Sequence, residues 1–224
     1  MKRSDVNRII REGIAFIKQC QFALPPFAFW TPSDWQAKGP ECDEVRRNML
    51  GWDLTDFGRG DFDRYGLLLF TLRNGHPKKP RDKPYCEKIM IQKPRQRCLM
   101  HFHWNKVEDI INRAGGGLVV ELYGSDRHEA IDKKGPVAVS LDGVAAKLPA
   151  GARVTLKPGE SICLTQRLYH EFWAERAPVL IGEVSAVNDD TTDNRFAEPV
   201  GRFPEIEEDE PILHYLCNEY PPAG

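Results

Sequence analysis

The sequence predicts a mainly β protein, a sandwich or barrel preceded by a helical N-terminal region. Three features carry that expectation. From Leu67 onward, short runs rich in β-branched, aromatic and other apolar residues recur at close spacing. Turn residues separate them: Gly115-Gly116-Gly117, Asp142-Gly143, Pro149-Ala150-Gly151 and Pro158-Gly159. Many short strands punctuated in this way argue for a closed or double-layered β architecture. Helical periodicity, by contrast, is clearest at the N-terminus.

Taken in order, Ser4 to Phe22 reads as an amphipathic helix, because Val6, Ile9, Ile10, Gly13, Ile14 and Ile17 share a face. Ser4 or Asp5 is expected to cap it, and Pro25-Pro26 to end it. Ala23 to Trp35 is rich in proline and aromatics and reads as an arm that packs on the core or on a second subunit. Ser33 is placed to cap a short helix through Trp35 and Ala37. Gly51 to Gly58 reads as a turn-rich stretch with buried aromatics. Strands are expected at 67–73, 85–92, 98–103, 117–123, 136–140, 144–148, 153–156, 161–164, 170–174 and 179–187, with a loop over 74–84. The tail from Phe203 to Gly224 is acidic, then apolar at Ile212 to Leu216, then proline-rich. The expected organisation is an arm over 1–60 packed on a barrel over 61–224, one domain overall.

Composition narrows the function classes. Hydrophobic residues make up 41% and charged residues 29%, an ordinary globular profile. The formal net charge of -2 argues against a nucleic-acid partner, and no like-charge block argues for a membrane surface. No apolar run approaches the ~18–20 residues of a spanning helix, and no signal peptide is recognised, so a cytoplasmic protein is expected. The six cysteines are widely spaced with no Cys-x-x-Cys, and read as reduced thiols, several of them in the core.

The chemistry centres on His101-Phe102-His103. Histidines at i and i+2 on a strand point to one face, and Glu108 beyond them can close on the same point. Two imidazoles and a carboxylate suit a divalent metal with open positions. A pair of strand histidines satisfied by hydrogen bonds is the alternative. His170 is the candidate fourth ligand. His76 and His128 read as surface residues, and His214 as a packed core residue.

These segments resemble the paired motifs of the cupin superfamily, a double-stranded β-helix (jelly-roll) barrel. His101, His103, Glu108 and Gly115 match the first motif, with Arg95 where its opening glycine stands. Gly159 and His170 match the second, with Thr165, Arg167 and Ala174 in place of its proline, second glycine and asparagine. The wider chain from Gly51 resembles the D-lyxose isomerase family, through Gly51-Trp52-Asp53-Leu54-Thr55-Asp56-Phe57-Gly58, Tyr85-Cys86-Glu87-Lys88, Met100 to Arg113, Glu183-Val184-Ser185, Asn188-Asp189-Asp190 and Arg202 to Asp209. The resemblance implies interconversion of D-lyxose with D-xylulose and of D-mannose with D-fructose. It also implies a manganese-like ion (Mn²⁺, with Zn²⁺, Co²⁺ or Fe²⁺ as alternatives) and a homodimer.

Aldose–ketose isomerisation moves a proton between C1 and C2 through a cis-enediol, so it needs a base near those carbons and charge to meet the developing oxyanion. A metal held by His101, His103, Glu108 and His170 suits the polarising role. Lys106 is the candidate to stabilise the enediolate or relay a proton. Glu205 is the favoured base, carried to the substrate if Arg202-Phe203-Pro204 folds the tail across the barrel mouth; Glu183 and Glu207 are the other candidates. Lys88, Asp190 and Glu207 are candidate contacts for the sugar hydroxyls. An Fe(II) dioxygenase, and a sugar-binding cupin without turnover, are the competing functions on the same ligands.

Overall fold

A computed structural model describes residues 1–79 and 82–222. Positions 80 and 81 of the expected 74–84 loop, and 223 and 224 of the tail, lie outside the described residues. Three helices come first: α1 (Arg3–Gln19), α2 (Pro32–Gln36) and α3 (Asp43–Arg47). Twelve strands follow: β1 (Gly51–Thr55), β2 (Leu67–Arg73), β3 (Tyr85–Gln92), β4 (Arg97–His103), β5 (Glu108–Ser125), β6 (Ile131–Asp132), β7 (Val137–Leu141), β8 (Val144–Leu148), β9 (Ala152–Leu156), β10 (Ser161–Leu164), β11 (Tyr169–Ala186) and β12 (Asn194–Phe196). Every pairing between these strands is antiparallel, as a jelly roll requires.

β5 and β11 form the spine, pairing with each other along most of their length. One half of each belongs to the sheet β1-β2-β3-β11-β5-β10-β7-β8. The other half belongs to a second layer, in which β11 pairs β4 and β5 pairs β9. Both strands bend at the same level. Register shifts between Glu175 and Val179, where Arg176 lies at φ +67° and Gly115 opposite at φ +101°. A Cβ on Gly115 would run into the Pro178 carbonyl, so this position demands glycine on both counts. Gly115-Gly116-Gly117 is therefore a bend within one strand, not a turn between two. The expected strands at 170–174 and 179–187 are likewise one bent strand.

Two cores flank the first sheet. Inside the barrel lie Leu67, Leu69, Met90, Ile110, Leu118, Val120, Phe172 and Ile181, among others. On the outer face, Leu68, Phe70, Ile89, Ile91 and Leu180 meet Val6, Ile9, Ile10 and Ile17 of α1. β2 is consequently apolar on both faces, which explains its unbroken run of Leu67 to Phe70. Each fully buried Leu, Ile or Phe contributes roughly 1.5–3 kcal/mol.

Several local expectations are corrected. α1 starts at Arg3 with Lys2 as N-cap, not at Ser4 or Asp5. Ser4 Oγ instead donates to Asp209 at 2.8 Å, tying the helix to the tail. α2 is capped by Thr31, whose Oγ accepts from Asp34 N; Ser33 lies inside it. Gly51–Thr55 is a strand, every residue buried, rather than a turn, so the sheet begins inside the 1–60 segment. The aromatic arm packs on its own chain. Trp52 Nε1 donates to the Ala28 carbonyl at 2.8 Å, Phe27 tilts against Phe70, and Trp35 is buried between Trp30 and Tyr220. Phe29 alone of the arm's large aromatics stays strongly exposed. All six cysteines are unpaired, and no described helix is long and apolar enough to cross a membrane.

Arg3 locks the two ends together. Its side chain, 2% exposed, meets Glu208 at 2.7 Å and Glu219 at 2.6 Å. Arg3→Met removes the cation and leaves Glu219 partly buried without it. The expected loss is about 2–3 kcal/mol, below the usual cost of a fully buried pair because Glu208 is half exposed. Urea unfolding of the two proteins measures it, and an unchanged midpoint would show the clamp to be energetically idle.

Candidate active site

The barrel interior turns polar at one end, where β3, β4, β5 and β11 bring their inward side chains together. His101 and His103 sit on β4, as alternate positions facing in. His170 pairs opposite His101 across the β4–β11 ladder. All three are buried, and one ring nitrogen of each lies within 4.8 Å of the others. Each Nδ1 is occupied by a carbonyl: Leu99 O at 2.7 Å for His101, Asp193 O at 3.1 Å for His103, and Leu168 O at 3.0 Å for His170. Nδ1 must therefore carry the proton, and each Nε2 presents a lone pair. Burial and the neighbouring imidazoles hold His101 well below the usual histidine pKa, so it stays neutral.

Glu108 Oε1 stands 3.2 Å from His103 Nε2 and 3.1 Å from His170 Nε2. Two lone pairs then face a carboxylate oxygen with no proton between them, and that oxygen is fully buried without a hydrogen-bond donor. Such a convergence of donors is what a divalent cation satisfies. The charge balance agrees. Glu108, Glu183, Asp190 and Asp53 face Lys106, Lys88 and Arg202, an excess of one negative charge.

Lys106 is not a solvent lysine. It is 3% exposed, and its Nζ contacts Glu108 Oε2 at 2.9 Å, Glu183 Oε1 at 2.9 Å and Asn188 Oδ1 at 3.2 Å. Burial opposes its charge, yet Glu108 and Glu183 overcome this and hold the ammonium well above its ordinary pKa. Burial likewise opposes ionisation of Glu108, and Lys106 reverses it, keeping the carboxyl well below its usual range. Asp193 fixes the loop that presents Lys106, accepting from Asn105 N at 2.8 Å and Lys106 N at 2.9 Å. Lys88 points inward, as its alternation with Glu87 predicts. It is buried and lies 3.3 Å from Asp190 and 3.8 Å from Glu183.

The tail does reach the barrel, but it delivers an arginine rather than a glutamate. Arg202 pairs with Asp53 and, at 3.3 Å, with Asp190. Glu205 and Glu207 are exposed and do not line the cavity. Their backbones are committed elsewhere: Glu205 O accepts from the N-terminal amine at 2.9 Å, and Glu207 O from Arg3 N at 2.8 Å. The carboxylate beside Lys106 is Glu183, on β11, with Ser185 Oγ donating to it at 3.1 Å. Sequence reasoning missed Asp193 and Asn194, whose only signal was their place in the polar run after β11. It also passed over Arg202 as a site residue in its own right. Of the other histidines, His128 is exposed and His214 is buried with Nδ1 against the Trp30 carbonyl, both as expected, whereas His76, expected at the surface, is half-buried.

The polar groups line a cavity of about 60 Å³ whose other sides are formed by Phe57, Leu69, Met90, Phe172 and Phe196. Phe196 stacks on His101 with ring centroids 5.2 Å apart. An apolar wall with convergent acid, base and ligand groups is the arrangement of a small-molecule catalytic site.

A family model described as D-lyxose isomerase matches residues 1–220. A D-lyxose/D-mannose isomerase of Serratia proteamaculans is 50% identical over 98% of both chains. One of Escherichia coli O157:H7 is likewise 50% identical over 98% of both. Among solved structures, an L-ribose isomerase of Cellulomonas parahominis superposes with a TM-score of 0.61 at 17% identity, covering 92% of this chain and 98% of its own. That of Geodermatophilus obscurus gives 0.58 at 16% identity, with the same coverage. At such identities the likeness speaks for the fold.

Proposed function

This chain belongs to the D-lyxose isomerase family and is an aldose–ketose isomerase, and from that premise we propose that it interconverts D-lyxose with D-xylulose and D-mannose with D-fructose. The observation that carries the reading is the buried Lys106–Glu183 contact beside the histidine cluster. His101, His103, Glu108 and His170 are the residues that would hold a divalent ion. When bound, that ion would polarise the substrate carbonyl and lower the cost of the oxyanion.

The remaining chemistry falls to the chain itself. Glu183 is the proton acceptor and donor for C1 and C2, taking the proton from one carbon and returning it to the other on the same face of the cis-enediol. Lys106 beside it meets the enediolate charge and relays a proton, giving one to O1 and taking one from O2, so that it ends the turnover protonated as it began. Ser185 and Lys106 orient the Glu183 carboxylate. Lys88 and Asp190 donate to and accept from the sugar hydroxyls. The apolar wall from Phe57 to Phe196 excludes water, so the enediol is reprotonated rather than lost. Manganese as the ion, a homodimer as the assembly and the cytoplasm as the location belong to this same reading. What supports them is the family resemblance, not the aromatic arm, which is spent on its own chain.

Incubation of the metal-replete protein with D-lyxose and D-mannose without oxygen tests the proposal. Ketose is expected, lost with EDTA and restored by Mn²⁺. Product formation only in oxygen would favour the Fe(II) dioxygenase. No turnover with metal bound and sugar binding intact would leave a binding protein.

A further inference from the structure

The catalytic cavity is bounded at its far end by an ion pair rather than by the barrel wall. Beyond it lies a second, larger cavity of about 330 Å³. Asp190 and Arg202 line both spaces. They meet at 3.3 Å, and Arg202 also donates to Asp53 Oδ1 at 3.3 Å. The partition is therefore two side chains, one of them a long and partly exposed arginine. The outer space is lined by polar groups, among them Asn48, Thr71, Asn74 and Asn188.

Contacts order the inner cavity. From the histidine cluster they run through Glu108, Lys106, Glu183, Lys88 and Asp190 to Arg202. Resting on the isomerase reading, C1 and C2 occupy the Lys106–Glu183 end, so the far carbons of an extended sugar lie toward Asp190 and Arg202. Asn194 of β12, which pairs opposite His103, lines the same cavity. Its Nδ2 donates to the Asp190 carbonyl at 3.1 Å, while its Oδ1 is buried with no donor, an acceptor free for a sugar hydroxyl. On this reading a pentose would end against the Asp190–Arg202 pair, whereas a hexose carries one more hydroxymethyl group.

We propose that the Arg202–Asp190 pair selects substrate by chain length, a partition that encloses a pentose and that the sixth carbon of a hexose must push into the outer cavity. Asp53 holds the arginine in the closed position, so displacement costs the hexose part of its binding energy. Arg202 is thereby a specificity residue, and the outer cavity is the space for the end of a longer sugar.

Arg202→Lys keeps a cation against Asp53 but shortens the partition. The ratio of kcat/KM for D-mannose over D-lyxose is expected to rise about tenfold, the scale of one methylene-sized clash. If the native protein converts only D-lyxose, the variant is expected to gain D-mannose. An unchanged or lower ratio overturns the proposal, since Arg202 would then be a mere tether or a ligand of the terminal hydroxyl. A second test needs no variant. The native protein is expected to turn over 6-O-methyl-D-mannose wherever it turns over D-mannose, because the methyl has the outer cavity to enter; rejection of it alone overturns the proposal. Absence of D-lyxose turnover would instead sink the isomerase reading on which the selector rests, so the two failures are distinguishable.

Discussion

Glu183→Gln is expected to lower kcat by about 10²–10⁴-fold, the range for loss of a positioned general base. The change is nearly isosteric. The amide oxygen can still accept from Lys106 Nζ and Ser185 Oγ, now 2.9 Å and 3.1 Å from Glu183 Oε1. Fold and metal content should therefore persist while the ability to take a proton is lost. KM should move little, because the interaction removed is made in the transition state. Glu205→Gln is the internal control. That side chain is exposed and outside the cavity, so its variant should keep the native rate. If Glu205→Gln were the inactive one, the tail would have to leave α1 and swing over the barrel during turnover. The backbone bonds between residues 1–3 and 205–207 oppose that movement.

The contrast between these two glutamates shows what the sequence could and could not say. The clustering of His101, His103 and His170 beside Glu108 was legible because strand alternation and motif spacing are local: His101 and His103 had to share a face. Lys88 was legible for the same reason. Motif departures were legible as positions, yet their meaning was not. Arg95 and Arg167 stand where the motif has glycine, and both adopt the left-handed conformation, at φ +68° and +61°. The fold imposes that conformation, and an arginine tolerates it at a cost of order 1–3 kcal/mol. Bends were the hardest feature. Gly115 to Gly117 and Ala177-Pro178 carry turn chemistry, but the long β5–β11 ladder overrides it and carries both strands through. Of the three candidate glutamates, Glu205 was favoured because an acidic run advertises itself, whereas a single glutamate in an apolar strand does not. Glu183 was already a candidate, and what sets it apart is the company it keeps in three dimensions, Lys106 above all.

His103→Ala is expected to abolish metal retention and, with it, turnover. The argument starts from protonation. His103 Nδ1 is committed to the Asp193 carbonyl at 3.1 Å, which leaves Nε2 as a lone pair aimed at Glu108 Oε1 and the other imidazoles. Removing that ring takes one of four donors from the cluster and leaves Glu108 facing a void. Lewis-acid stabilisation is worth several kcal/mol, and each ~1.36 kcal/mol is tenfold in rate, so a loss of about 10³-fold or more follows. Elemental analysis gives a readout apart from activity. The native protein should hold about one divalent ion per chain and the variant far less. Thermal unfolding gives another. Added Mn²⁺ should raise the Tm of the stripped native protein, because the ion binds the folded state, and should leave that of the variant unmoved. Native metal content in His103→Ala would refute the ligand assignment. Retained metal with lost activity would instead place His103 beside the ion as a positioning group. An unmoved Tm in the native protein would show that the histidines satisfy one another without an ion, and the facing lone pairs at Glu108 Oε1 make that the physically costly arrangement.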